Sequence, residues 1–290
     1  MALRDKLLTA FPQLQNPESR TRQVLIFVLL KNRRFRILLL EFVSKVLFLS
    51  HRGQGGVALV ENPTFAGDGF ATSHHVSFQD DPGFVKAFHA AFNQVPTELA
   101  EQAKQDIVWR AHICTWGARR ARQIEGDFVE LGVWYGILSM TVCNDLRFGE
   151  AVGDKAVGDK ATRKFYLVDS FGAMPGSHPS ENYQEDIFHV VQQRFQPYKN
   201  VEIVRGLVPE ILPSIPAQRV AYLAIDMNGS VPERAALEYF YDKLSPGAFV
   251  YFDDYGWSYP ELRQTVDEFL SDKPESLLHF PSGNSIFIKC

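Results

Sequence analysis

Gly126-Asp-Phe-Val-Glu-Leu-Gly-Val-Trp-Tyr-Gly136 is the stretch from which the fold can be read. Its first part, Asp127 to Leu131, is an apolar run broken by one acid and flanked by glycines, the length and setting of a buried strand. Gly132 and Gly136 then supply backbone freedom for a tight turn, and the apolar stretch at 136–148 that follows reads as a helix. Strand, glycine turn and helix are the opening of a βαβ unit.

The same rhythm continues downstream. Strand-like runs fall at 164–169 (KFYLVD), 201–204 (VEIV), 220–225 (VAYLAI) and 248–252 (AFVYF), with helix-like stretches at 181–195, 207–212, 232–244 and 259–271. This alternation predicts a doubly wound, Rossmann-like α/β sheet, mostly parallel and covered on both faces. The end differs: 276–280 and 284–289 are joined by Pro281-Ser282-Gly283 with no helix between, a C-terminal antiparallel hairpin. Upstream, Asp81-Pro82 is a helix start that puts Phe84, Phe88 and Phe92 on one face. A longer helix at about 105–123 buries Ile107, Ala111, Cys114 and Ala118, with Trp109 and Trp116 as packing residues. The pentapeptide AVGDK, repeated at 151–155 and 156–160, reads as a duplicated surface loop.

The 290 residues are 46% hydrophobic and 22% charged, and the net charge of −4 argues against a nucleic-acid binder. Cys114, Cys143 and Cys290 form no Cys-x-x-Cys pair, so neither a disulfide framework nor structural zinc is supported, and a reducing, cytoplasmic setting fits. Charge is uneven: residues 1–60 carry ten Lys and Arg against three acids, around the apolar stretch Val24 to Leu49. Lys31, Arg33, Arg34 and Arg36 cut that stretch into pieces shorter than the ~20 residues of a membrane span. Two readings stay open for 1–80, a helical segment ending in a glycine-rich linker at 50–69 ahead of the main domain at 81–290. One packs it on the domain or on a second subunit, giving a homo-oligomer. The other rests residues 22–50 peripherally on an anionic membrane.

Ligands of an open parallel sheet bind beyond the carboxyl ends of its strands, near the point where strand order reverses. Those ends here read Glu130-Leu131-Gly132, Asp169-Ser170-Phe171, Asp226-Met227-Asn228 and Asp253-Asp254-Tyr255. One acid is an ordinary helix cap; several converging on one edge repel each other unless a ligand or cation joins them. Glycines after the first strand let a ligand approach, and an acid ending the second can accept from ribose hydroxyls. A nicotinamide-dependent oxidoreductase is disfavoured. Trp134 stands where G-x-G-x-x-G needs its second glycine, and Asp169 lies 37 residues beyond Gly132 where ~20 is expected. Neither a P-loop nor a G-x-S-x-G elbow occurs. His74, His75, His178 and His189 lack metal spacing and read as solvated; Phe171, Tyr255, Trp257 and Tyr259 read either as core or as pocket wall.

GDFVELGVWYG (126–136), LVDSFGAMP (167–175), LAIDMN (223–228) and ALEYFYDKLSPGAFVYFDDYG (236–256) together resemble class I S-adenosylmethionine-dependent methyltransferases. More narrowly, the chain resembles the macrocin O-methyltransferase (TylF/MycF-type) group over roughly 105–290. The resemblance implies that Glu130, Gly132 and Gly136, with Tyr135 in the same turn, frame the methionine end of S-adenosylmethionine. It places Asp169 on the ribose with Ser170 nearby, Gly206 beside the adenine, and Asp226 next to the reacting atoms. It further implies that Asp226, Asp253 and Asp254 hold a divalent cation, usually Mg²⁺, with Asp226 as proton acceptor. The chemistry agrees, since hard cations take carboxylate oxygens and acidify a bound hydroxyl. The implied reaction is metal-assisted O-methylation of a small hydroxylated acceptor, a sugar or natural-product intermediate. The alternative within the fold is a cofactor-binding protein without methyl transfer, which has no need of the three aspartates. Three positions depart from the group: Asn228 replaces an acid, Tyr135 an arginine, and Val231-Pro232-Glu233 stands for Glu-Ser-Thr.

Overall fold

The strand expected at 127–131 lies inside the main sheet, with its turn and helix following as expected, and the other strands of that sheet are laid down on both sides of it. The structure, a computed structural model, describes residues 63–149, 151–152, 155–156, 163–172, 186–257 and 260–290. The expectations for 1–62, including the membrane contact through 22–50, and those for His178 and Tyr259 lie outside the described residues.

In chain order, strands β1 (Phe65–Gly67) and β2 (Phe70–Thr72) precede helices α1 (Pro82–Ala90) and α2 (Thr97–Ala121). Then come β3 (Asp127–Leu131), α3 (Ile137–Leu146), the short β4 (Ala151–Val152) and β5 (Lys155–Ala156), and β6 (Phe165–Asp169). After α4 (Phe188–Phe195) follow β7 (Val201–Arg205), β8 (Val220–Ile225), α5 (Ser230–Phe240), β9 (Leu244–Phe252) and α6 (Pro260–Leu270). The chain closes with β10 (Leu278–His279) and β11 (Ser285–Ile288). The main sheet runs β10-β11-β9-β8-β3-β6-β7. Strands β9, β8, β3, β6 and β7 are parallel, whereas β11 pairs antiparallel with β9 and with β10. From β3 the chain winds outward through β6 and β7, then returns to the other side for β8 and β9. Strand order therefore reverses between β3 and β8, where an open sheet leaves its crevice.

Alternation along each strand sorts side chains to two cores. Phe128, Phe165, Tyr222 and Phe249 face α1, α2 and α3, while Val129, Val168, Leu223 and Val250 face α5 and α6. On the first face Phe128 meets Tyr222 at 5.1 Å between ring centroids, and Tyr222 stacks on Phe249 at 5.5 Å. Each such ring, fully withdrawn from water, contributes about 1.5–3 kcal/mol.

Several boundaries differ from the sequence reading. Helix α2 starts at Thr97, directly after Pro96, whose fixed φ and missing N–H suit it to a helix entrance. The helix expected at 207–212 is one turn, closed by the Ile211 N–H on the Leu207 carbonyl, followed by a 3₁₀ segment at Leu212–Ser214. Pro209 and Pro213 have no N–H with which to continue a ladder. Residues read as the end of a linker form the β1–β2 hairpin. Asp68 (φ 50°) and Gly69 (φ 77°) make its two-residue turn, and Phe65 and Phe70 lie against Trp109. The β4–β5 pair falls mostly within the first AVGDK copy, Val152 opposite Lys155, and takes only Ala156, opposite Ala151, from the second.

Candidate active site

Hydrogen bonds that run one residue past the strands align the strand ends on a single edge. The Gly132 N–H donates to Val168 (2.9 Å), Asp226 to Leu131 (2.8 Å), Asp253 to Ile225 (3.0 Å) and Gly206 to Asp169 (3.0 Å). Glu130, Gly132, Asp169, Ser170 and Gly206 thereby line one side of the reversal point; Asp226, Asp253 and Asp254 line the other.

On the first side, the turn after β3 uses left-handed backbone at Gly132 (φ 83°), Trp134 (φ 49°) and Gly136 (φ 70°). Its glycines answer to the chain's own packing. A Cβ on Gly132 would lie 1.6 Å from the Asp226 carbonyl oxygen, and one on Gly136 would lie 2.5 Å from the Phe195 ring. Asp169 closes the turn: its Oδ2 accepts from the N–H groups of Val133 (2.6 Å) and Trp134 (2.9 Å), and its Oδ1 from that of Phe171 (2.8 Å). The Ser170 hydroxyl donates to the same Oδ1 at 3.3 Å. Tyr135 is buried, and its carbonyl accepts from Nε of Arg194 (2.9 Å), which also donates to the carbonyls of Ala91 and Asn93. Burial lowers the Arg194 pKa to about 10. Glu130 is buried with Oε2 unpartnered; burial first, then Asp169 and Asp253, holds its carboxyl well above the ordinary range. Phe171 belongs to the core, whereas Trp257 is partly exposed over Arg110.

On the second side, Asp226, Asp253 and Asp254 each offer an oxygen within 4.8 Å of the others. Asp253 is 1% exposed; its Oδ2 accepts from Nη1 of Arg110 (2.5 Å), and its Oδ1 from the Tyr251 hydroxyl (2.5 Å) and Nδ2 of Asn284 (3.3 Å). Asp254 accepts from the Asn228 N–H, yet its buried Oδ2 has no partner. Burial, then Asp253 and Asp254, raises the Asp226 pKa well above the ordinary value. Burial and Asp253 raise Asp254 to about 7 against the opposing pull of Arg110. Glu233, in the first turn of α5, is a fourth acid here, raised to about 8 by burial, Asp254 and Asp253.

Sequence reading did not find Arg110, Asp68 or Glu233 as members of this site. Burial opposes the charge of Arg110, but Asp253 and Asp68 outweigh it and keep the guanidinium protonated. Asp68 was legible in one respect: Asp-Gly between aromatic-bearing segments is a hairpin signal.

Raised carboxyl pKa values fix a pH dependence. The folded chain keeps protons on Asp226, Asp254 and Glu233 that the unfolded chain has released, so these groups favour folding most below about pH 4. The contributions of Asp254 and Glu233 are lost as pH rises towards 8, on the order of 4 kcal/mol for Asp254. Scanning calorimetry in chelator is expected to show the unfolding midpoint falling from pH 5 to pH 8. Asp254→Asn flattens that slope, and a midpoint that rises throughout the interval contradicts it.

Residues 117–275 match the macrocin-O-methyltransferase (TylF) family. The chain belongs to this family. All the strand-end acids fall inside the matched TylF residues, whereas Asp68 and Arg110 lie ahead of them. The 8-demethyl-8-(2,3-dimethoxy-α-L-rhamnosyl)-tetracenomycin-C 4′-O-methyltransferase of Streptomyces olivaceus is 32% identical over 149 residues, 46% of this chain and 54% of that protein. The mycinamicin III 3″-O-methyltransferase of Micromonospora griseorubida is 28% identical over 165 residues, 50% of this chain and 61% of that protein. The chain thus spans less than two thirds of the length of the curated relatives it matches. Among solved structures, the O-methyltransferase NovP shares the fold, with a TM-score of 0.50 at 20% identity over 64% of this chain and 81% of that one. Among the described residues, no helix is long and apolar enough to cross a membrane.

Proposed function

We propose that this TylF-family chain transfers a methyl group from S-adenosylmethionine to a hydroxyl of a small molecule, a sugar or sugar-bearing natural product, with a divalent cation at its three aspartates. The observation that carries the reading is the pairing, across the β3–β8 reversal point, of a braced glycine turn with three oxygen-donor acids. Both ligands have polar groups left for them. Helix α3 starts at Gly136 with no side-chain cap, which suits a carboxylate, and the unpartnered Oε2 of Glu130 suits an ammonium. The methionine end of the cofactor carries both groups. For the cation, carboxylates are the donors that Mg²⁺ takes, and the orphaned Oδ2 of Asp254 is the unsatisfied buried acceptor that one would satisfy.

Bound there, S-adenosylmethionine supplies an electrophilic methyl group and the cation polarises the acceptor hydroxyl. The chain does the remaining work. Asp169 holds the turn closed, and Arg194 ties it to the residues that follow α1. The hydroxyl proton given up as the methyl group is transferred would pass to Asp226, whose carboxyl loses its own proton once a cation offsets the charge of its acidic neighbours. The test is calorimetric titration of S-adenosylmethionine and S-adenosylhomocysteine into the protein, in Mg²⁺ and then in chelator. Both are expected to bind, and Asp169→Ala, which frees the N–H groups of Val133 and Trp134, weakens binding at least ~30-fold, in line with loss of charge-assisted bonds. No binding by the unaltered protein overturns the reading. Methyl transfer to glycosylated acceptors then identifies the substrate.

A further inference from the structure

The acids at this edge already have a cation. Arg110 reaches from α2 with Nη1 2.5 Å from Oδ2 of Asp253, while its Nε and Nη2 donate to Oδ1 of Asp68 at 3.0 and 2.8 Å. Its guanidinium lies 5.1 Å from the Trp257 ring. It has little freedom to leave, because Asp68 sits at the tip of the β1–β2 hairpin, and that hairpin packs on the same helix through Phe65, Phe70 and Trp109.

Counting lone pairs shows what this does to a metal. Each carboxylate oxygen offers two. On Asp253, Oδ1 is filled by the Tyr251 hydroxyl and the Asn284 amide, whereas Oδ2 has Arg110 and one position over. A divalent ion drawn by Asp226, Asp253 and Asp254 must then bind the same oxygen that Arg110 holds. We infer that Arg110 is a positioning residue for Asp253 that also lowers the site's affinity for a divalent cation, sharing Oδ2 with it and repelling it. The inference rests on the metal-assisted reading above. Repulsion between a +1 and a +2 charge about 5 Å apart exceeds a tenfold factor in affinity even at the dielectric of bulk water. Arg110 also holds the Asp253 side chain in place when no metal is bound.

The test is direct Mn²⁺ titration at pH 8, by calorimetry and by the electron paramagnetic resonance of free Mn²⁺, on the full chain and on its Arg110→Met and Arg110→Lys variants. Arg110→Met is expected to bind Mn²⁺ at least tenfold more tightly, and Arg110→Lys, which keeps the charge, to stay within about threefold of the unaltered protein. Unfolding temperature supplies a second readout. In chelator Arg110→Met melts below the unaltered protein, and saturating Mn²⁺ raises its midpoint by the larger amount, as ligand linkage requires. Equal or weaker Mn²⁺ binding by Arg110→Met, with the unaltered protein binding, overturns the role of Arg110 alone. If neither protein binds Mn²⁺, the metal-assisted reading falls with it.

Discussion

Asp226→Asn is expected to lower kcat for methyl transfer by about 10³, at the centre of the range for loss of a positioned general base. S-adenosylhomocysteine binding should stay within about threefold. The substitution is nearly isosteric and leaves the backbone intact, including the Asp226 N–H bond to Leu131 at 2.8 Å that joins β8 to β3. What it removes is a negative charge, a proton acceptor and one carboxylate donor of the proposed cation site, all on the acid side of the reversal point; the turn closed by Asp169 and braced by Arg194 is untouched. A readout that needs no acceptor accompanies it. Asp226 is held above its ordinary pKa by burial and by Asp253 and Asp254, so neutralising it relieves a strain of the folded state. In chelator at pH 8 the variant should therefore melt above the unaltered protein. A loss of kcat under tenfold assigns the proton to another group, and Glu233 is the next acid to try.

The contrast between what the chain revealed by itself and what required its folded form has a physical basis. β3, β6, β7 and β8 fall within a residue of the expected positions, because buried parallel strands are short apolar runs and glycine, proline and charge punctuate them. The convergence of Asp169, Asp226, Asp253 and Asp254 on one edge follows from the same alternation, since every strand of a parallel sheet ends on the same side. Arg110 has no such signature. Its partners Asp68 and Asp253 are 42 and 143 residues away, and in sequence it is one more cation on a long amphipathic helix. Glu233 showed only as a departure from a family pattern; its burial beside Asp254 depends on how α5 packs. Glycines 132 and 136 were found, but for a partial reason. Strand spacing tells nothing of which atom stands opposite a missing Cβ.

That last point yields the second large effect. Gly132→Ala is expected to abolish folding, with no soluble protein or a collapsed chain lacking the fixed near-ultraviolet dichroism of packed aromatics. Two penalties add. Position 132 has φ 83°, a left-handed conformation that costs an L-residue about 1–2 kcal/mol. The larger one is contact: the new Cβ would stand 1.6 Å from the Asp226 carbonyl oxygen, a backbone atom that no rotamer change can move. Relief requires β8 to part from β3, breaking the Asp226–Leu131 bond and disturbing the pairing that runs from Asp127 to Leu131. A domain of marginal stability, some 5–15 kcal/mol, has little left after such a rearrangement. Gly136→Ala is the internal control. Its φ of 70° carries the same conformational penalty, but its Cβ would meet the Phe195 ring at 2.5 Å, and a side chain at the end of a short helix can shift. That variant should fold, destabilised by about 2–4 kcal/mol in denaturant unfolding. If Gly132→Ala instead folds normally and loses only cofactor binding, the glycine serves the ligand, and the close approach of β8 to β3 is not what selects it.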